Sequence, residues 1–325
     1  VVDVVSLPKP AVAVPVFSRL LDLPLIKGDE DPVAPYFAVS AKPWPGAVAL
    51  YSSAEDDGYS LNSVTEKRSV FGLTETPLAA SSPGLPDRGA RLRVKIGEGV
   101  LASASRTGLL NGANALAIGN PTGGDWEVLQ FEVAELVGAD TYEIRNLLRG
   151  QLGTDAIMPA VWPSGSLIVL LDGAPSQIEL PSSSRGLERH YRVGPANRGY
   201  SDASYRHLLH SATGAGLRPY RPGHLRSAED AGGNTLVSWI RRSRIDGDSW
   251  EGLDIPLGED SERYLVRVLD AENAVIRQAE PNTCSWQYTA EMKAADAPSQ
   301  IAAIQVAQLS VRYGVGPFQR IEIHE

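Results

Sequence analysis

Apolar residues in this chain fall in short runs with a period of two, the spacing that puts alternate side chains on opposite faces of a strand. Leu92, Val94 and Ile96 alternate with Arg91, Arg93 and Lys95, which suits a half-buried strand. Residues 115–118 are continuously apolar and short, and 166–171 are so after Ser166, as in strands covered on both faces. Residues 126–135 and 141–148 read as a hairpin across Val137-Gly138-Ala139-Asp140. Residues 36–40 and 47–51 read as a strand pair across Lys42-Pro43-Trp44-Pro45-Gly46, with residues 63–73 continuing that sheet. Within 16–23 the pattern allows one helical turn.

The last third repeats the strand pattern from Asn234 onward, with turns at Gly, Asp, Asn and Pro spaced as in a small β-sandwich. Residues 236–242 read as its second strand, and Tyr264, Val266 and Val268 share one face of the next. Gly314 and Gly316 form the loop before the last strand. Trp239 and Trp286 are the candidate inter-sheet anchors, because large aromatics supply most of a small sandwich's buried area. The fold class expected is all-β, several small β domains in tandem ending in a fibronectin type III-like sandwich. The divisions expected are 1–90, 91–175, a strand-and-connector stretch at 176–218, and 219–325. Residues 76–89, rich in Ser, Pro and Gly, suit the first boundary.

Composition sharpens this picture in a few places. Thirty-one Gly and 23 Pro break the apolar runs, as expected of a loop-rich β protein. Thirty Lys and Arg against 39 Asp and Glu give a net charge of −9, which disfavours non-specific nucleic-acid binding. One cysteine, Cys284, makes no intramolecular disulfide and no multi-thiolate metal cage, and it reads as a packed core thiol. No apolar run approaches the ~18 residues of a membrane span. The N-terminus opens on Val-Val without Met or a basic segment, and prolines at 8, 10 and 15 interrupt it. It reads as part of a longer polypeptide rather than a signal peptide.

The charge is uneven. Residues 182–226 carry Arg185, Arg189, Arg192, Arg198, Arg206, Arg218, Arg221 and Arg226, no lysine, and His190, His207, His210 and His224 among Tyr191, Tyr200, Tyr205 and Tyr220. Guanidinium forks read anionic oxygens and stack on rings, so phosphate, DNA or acidic glycan are candidate ligands. The plainer reading, arginines on exposed strand faces paired with the acidic surplus, is favoured, and sugar contact through Tyr faces is the best functional alternative. His207 and His210, three apart, would share a helical face and could hold a metal, but no third ligand stands at a confirming spacing, so ordinary surface histidines are favoured. Asp246-Gly247-Asp248-Ser249-Trp250-Glu251 offers oxygen ligands for calcium without the spacing of a helical-hand loop. Gly119–Gly124 lacks the lysine of a phosphate loop, and no G-x-S-x-G is present. The sequence assigns no catalytic residue, cofactor or metal ligand.

Two segments carry a family resemblance. Residues 127–154, ending L-L-R-G-Q-L-G-T, resemble a passage in the large tail-tip (host-specificity, or baseplate) proteins of gene transfer agents and related alphaproteobacterial siphophages. W-I-R-R-S-R-I-D-G-D-S-W at 239–250, with S-E-R-Y-L-V-R-V-L-D and V-A-Q-L-S-V-R-Y-G-V-G, is similar to the C-terminal part of the same proteins. The resemblance covers residues 90–325 and, more loosely, the first 90. It implies a C-terminal portion, since the longer members carry a TIM-barrel-like region and nothing here alternates strand and helix. It also implies a non-enzymatic, trimeric structural component at a virion-like tail tip. The partners implied are other hub or baseplate proteins, a possible cell-surface glycan or outer-membrane receptor, and DNA only if the chain lines the tail channel. Arg241, Arg242, Arg244 and Trp250 are the candidate interface groups. The alternative is a secreted carbohydrate-active or carbohydrate-binding protein with an accessory β-sandwich.

Overall fold

The computed structural model describes residues 15–245, 247, 255–296 and 300–323. In chain order the first strands are β1 (Phe17–Leu21), β2 (Tyr36–Ser40), β3 (Val48–Ser53), β4 (Ser60–Thr65), β5 (Phe71–Thr74), β6 (Leu78–Ala79) and β7 (Pro86–Ile96). A short helix, α1 (Arg106–Leu110), precedes β8 (Ala115–Gly119), β9 (Trp126–Gly138), β10 (Thr141–Gln151), β11 (Val161–Trp162) and β12 (Leu167–Leu170). Then come β13 (Ser176–Gln177), β14 (Glu188–Pro195), β15 (Arg206–Ser211), β16 (Gly223–Glu229), β17 (Thr235–Ile240), β18 (Tyr264–Asp270), β19 (Val275–Ala279) and β20 (Ser285–Tyr288). Helix α2 (Ala290–Asp296), β21 (Ile301–Ser310), β22 (Gly314–Val315) and β23 (Gln319–Glu322) complete the order. The protein is built almost wholly of β-sheet in several small units.

The middle unit is a closed barrel in the order β10-β7-β5-β12-β8-β9, antiparallel at every junction. Closure leaves no unpaired edge. Its interior holds Leu92, Val94 and Ile96 of β7 with Leu116, Ile118, Leu129, Phe131, Ile144, Leu147 and Ile168. The alternation in β7 therefore separates lumen from solvent. The continuously apolar strands have a different cause. Ile118 and Ile168 point into the barrel, while their neighbours Ala117, Leu167 and Val169 point outward and are buried against Leu21, Tyr36 and Ala38 of the adjoining sheet.

That adjoining unit is a sandwich of β1-β2-β13 on β15-β14-β3-β4, with Phe37, Val39, Val48, Leu50, Tyr191 and Val193 between the sheets. Several expectations change here. Strands β2 and β3 do not pair with each other; they lie in opposite sheets. Pro43 and Pro45 have no N–H to give a ladder, so the stretch between the strands crosses from one sheet to the other. Residues 17–21 form a strand paired with β2 rather than a helical turn. Strand β5 leaves the sandwich for the barrel, so position 90 separates no two units. Residues 176–218 hold strands, as expected, but these belong to the first sandwich: β14 pairs with β3 from His190 to Pro195 and supplies half of the second sheet's interior. Backbone pairing between segments so far apart in sequence has no signature in local periodicity.

The last unit packs the sheet β16-β17-β20 on β19-β18-β21, to whose far side β22 and β23 add. First, second and fifth strands on one side, with third, fourth, sixth and last on the other, give the fibronectin type III-like sandwich. Trp239 is buried edge-on against Tyr264, with ring centroids 5.1 Å apart, and half-buried Trp286 lies nearly parallel to Tyr288 at 5.2 Å. Both rings pack in the core with Val237, Val266, Val268, Ile304 and Val306. Cys284 packs at the margin of this core with Sγ 3.2 Å from the Tyr264 hydroxyl, and burial pushes its thiol pKa up. Trp250 and the carboxylates around it lie outside the described residues.

At the foot of this sandwich Arg277 donates to Asp296 at 2.7 and 3.0 Å, and the Tyr288 hydroxyl donates at 2.7 Å. Arg277 first, and Tyr288 after it, hold the Asp296 carboxyl below its usual range against the opposing effect of burial. Since the folded pKa is depressed, the stabilisation is present above the unfolded carboxylate value of about 4 and is lost as pH falls through the folded value. An NMR titration of the Asp296 carboxyl should give a midpoint below that of a free aspartate, and Arg277→Ala should raise it. An unchanged midpoint in the variant would show that the pairing does not set the pKa.

Candidate functional site

Glu127 and Arg149 are both fully buried. Glu127 stands in β9 inside the run Trp-Glu-Val-Leu-Gln-Phe, and Arg149 stands near the end of β10, its hairpin partner. The guanidinium meets the carboxylate as a two-pronged fork, Nε to Oε1 at 2.7 Å and Nη2 to Oε2 at 2.8 Å. Its remaining Nη1 donates to the carbonyl of Ala79 at 2.7 Å. Glu127 also accepts from the Trp162 indole at 2.6 Å and from the backbone N–H of Gly150 at 3.0 Å. Every strong donor aimed at this carboxylate is thus matched, the condition under which a buried pair holds its partners in place.

The rest of the Leu-Arg-Gly-Gln-Leu-Gly-Thr stretch serves the same joint. The β10–β9 register shifts between Leu148 and Gln151, and Gly150 there takes φ +59°. A Cβ on Gly153 (φ +75°) would come within 2.2 Å of the Tyr220 ring. Thr154 Oγ1 accepts from the N–H of Val128 at 2.9 Å and donates to the carbonyl of Gln151 at 2.7 Å. The next residue, Asp155, has its side chain almost wholly buried and accepts from Arg221 at 2.9 Å and from Arg242 at 3.0 and 3.1 Å. Arg242 also lies over the Tyr220 ring at 5.4 Å.

Arg242 and Arg244, expected as interface groups, therefore make contacts within the chain. Arg244 reaches Glu259 at 3.2 Å and the carbonyls of Gly258 and Gly216 at 2.7 and 3.3 Å. Arg241 donates to the carbonyl of Ile255 at 2.9 Å. Arg185 adds a second fastening between sandwiches, donating to the carbonyls of Thr213, Arg312 and Tyr313 with its guanidinium over the Tyr313 ring. Sequence reasoning did not single out Glu127 or Asp155. A lone carboxylate in an apolar strand opposite an arginine was the available signal for Glu127. Nothing local marks Asp155.

The histidines also fall differently from the helical reading. Residues 206–211 are strand β15, so His207 and His210 project to opposite faces. His210 turns to Asp22 at 3.3 Å, while His207 faces His190 at 3.0 Å on the outer side of the sheet. Arg192, opposite His207 in register, donates to Asp56 at 2.7 Å, and the Tyr59 hydroxyl donates to the same carboxylate. Those contacts, Tyr59 before Arg192, depress the Asp56 pKa to about 2. Beside them Tyr51, Tyr59 and Tyr200 form an aromatic group with centroids 5.3–5.5 Å apart, Tyr200 keeping part of its ring exposed. Asp56 and Tyr59 carried no signal in the sequence, because a loop brings them to this face.

A family model described as Rcc01698-like, C-terminal, matches residues 69–169, the span of the barrel from β5 to β12. No curated protein gives a match. Among solved structures the chain is similar to domains d3–d4 of the rat CD45 extracellular region, at 12% identity over 45% of this chain and 68% of that one, with a TM-score of 0.23. It is also similar to a two-domain fibronectin type III segment of chicken tenascin, at 9% identity over 78% and 99%, with a TM-score of 0.23. The FN1–FN3 domains of chicken CNTN1 give 10% identity over 97% and 99%, with a TM-score of 0.22. The fibronectin type III-like architecture of the last unit follows from its strand pairings.

Removing one partner of a buried pair leaves a buried charge unmatched, so Arg149→Met should cost about 3–5 kcal/mol in urea unfolding followed by tryptophan fluorescence. The double variant with Glu127→Gln should recover part of that loss; a single-variant cost under about 1 kcal/mol would show the pair to be incidental. For the junction, a hydrogen bond to a charged group contributes about 1.5–3 kcal/mol. Asp155→Ala should therefore raise proteolytic nicking between the barrel and the last sandwich by about tenfold or more. Unchanged nicking would mean that Asp155 does not join them.

Proposed function

We propose that this chain is a structural component of a phage-like, gene transfer agent-type tail tip or baseplate, acting in tail assembly and attachment to the host surface. The observation that carries the reading is where the two resembling sequence blocks fall. The W-I-R-R-S-R stretch reaches through Arg242 to Asp155, the residue directly after the L-R-G-Q-L-G-T stretch, and this contact joins sandwich to barrel. Residues whose side chains lock modules together suit a load-bearing assembly part better than a catalyst. The family model over the barrel supports the same direction. In this reading the chain acts as a homotrimer against hub or baseplate proteins, without catalysis or cofactor, and works at the tail tip of a released particle. The exposed edge of the Tyr200 group is the surface with the chemistry to contact a cell-surface glycan, since aromatic faces stack on pyranose rings.

Electron microscopy of particles from the source cells, labelled with an antibody against residues 217–325, tests this. Label confined to the distal end of tails is the expected result. Unlabelled particles with the protein free in the medium would overturn the reading, and polysaccharide turnover by that protein would favour a carbohydrate-active one.

A further inference from the structure

We propose that Asp56, His190 and His207 form a binding site for a single divalent transition-metal cation of the zinc class. The proposal is independent of the tail-tip reading. Three separate segments deliver the ligands: β14 carries His190, β15 carries His207, and the β3–β4 connection carries Asp56. Arg192 stands opposite His207 in register, so His190 is the diagonal neighbour of His207 on one face of the sheet. Strand β3 flanks β14 on its other side and turns Asp56 back over the same face.

The distances fit a small cation. His190 Nδ1 lies 3.0 Å from His207 Nε2, His207 Nε2 lies 3.9 Å from Asp56 Oδ1, and the three ligand atoms lie within 4.8 Å of one another. In a tetrahedral site with bonds near 2.0–2.1 Å, ligand atoms stand about 3.3 Å apart. Small side-chain rotations close the difference, and the partly exposed setting leaves the fourth position to water. With both rings neutral, two imidazole nitrogens at this distance can share only one proton, so one ring donates and the other accepts. A cation instead takes a lone pair from each.

The donor set decides the class of ion. Two imidazoles and a carboxylate suit zinc, cobalt, nickel or copper and not calcium or magnesium, which prefer all-oxygen shells. Tyr59 and Arg192 both donate to Oδ1 of Asp56, the oxygen nearest His207, and so position that carboxylate beside the imidazoles, as second partners commonly do for metal-binding carboxylates. The Arg192 charge opposes the cation and moderates affinity. A bound ion would staple the β3–β4 loop to β14 and β15.

The test is calorimetric titration of the whole chain, prepared without a histidine tag, with zinc and separately with calcium and magnesium; cobalt absorption reports the coordination geometry. One zinc per chain, a tetrahedral cobalt spectrum and no heat with calcium or magnesium are expected. His190→Ala and His207→Ala should each weaken zinc binding by at least about tenfold, with circular dichroism unchanged. His210→Ala, whose ring faces Asp22 on the other side, should leave it unaltered. Absence of zinc binding, or binding that survives both His190→Ala and His207→Ala, overturns the site. If either alanine variant fails to fold, His190→Gln and His207→Gln replace them under the same criteria.

Discussion

The pairing of Glu127 with Arg149 is the constraint on which the rest of the middle of the molecule depends. A carboxylate and a guanidinium without solvent access persist only where geometry satisfies nearly all of their hydrogen-bonding capacity. Meeting that requirement draws in the backbone of Gly150, the indole of Trp162 and the carbonyl of Ala79. Residues from 79 to 162 are thereby tied to one point at the end of the β9–β10 hairpin. The bulge at Gly150 follows, because its N–H must turn toward the carboxylate rather than stay in the ladder. Once the chain has turned there, Thr154 closes onto Val128 and Asp155 emerges where Arg221 and Arg242 can reach it.

The barrel and the first sandwich share walls rather than merely touching. Strands β8, β9 and β12 bury one row of side chains inside the barrel and the other row against β1 and β2. Strands β8 and β12 have almost no solvent face, which is why they read as apolar runs, whereas β9 carries Glu127 and Gln130 and its far half emerges into solvent. Trp126 and Phe71 belong to this shared layer, and Gly119 leaves room for the Trp126 ring, whose nearest atom would lie 2.6 Å from an added Cβ. The contact is therefore as densely packed as either interior, and relative motion of the two units would open a core.

How much of this was legible in the sequence depended on distance along the chain. The β class, the β9–β10 hairpin, the inward face of β7 and the aromatic positions of the last sandwich follow from local alternation and turn residues, which act over a few residues. The placement of β2 and β3 in different sheets and the pairing of β14 with β3 do not, since they are settled by which apolar faces meet after the chain has travelled more than a hundred residues. The arginines show the same divide. Their richness in residues 182–226 was visible, but whether each reached solvent or a buried carboxylate was not. Arg242, singled out as an interface group, meets Asp155 within the chain. His207 and His210 would share a side on a helix, the less favoured reading, and strand geometry sends them to opposite sides.

The first sandwich is discontinuous: residues 17–65 and 176–211 build it together, and the barrel is inserted between them. The chain leaves for the barrel after β4 and returns before β13, and the barrel strands nearest those crossings, β5 and β12, are hydrogen-bonded neighbours. The β2–β13 and β3–β14 ladders therefore hold residues 17–65 to residues 176–211, and tension along the polypeptide between those two segments loads both. While those ladders hold, the backbone of the barrel is a closed loop off this path, fastened to the sandwich by the layer it shares with β1 and β2. A chain arranged in this way keeps the two covalent ends of its barrel together for as long as the sandwich is intact.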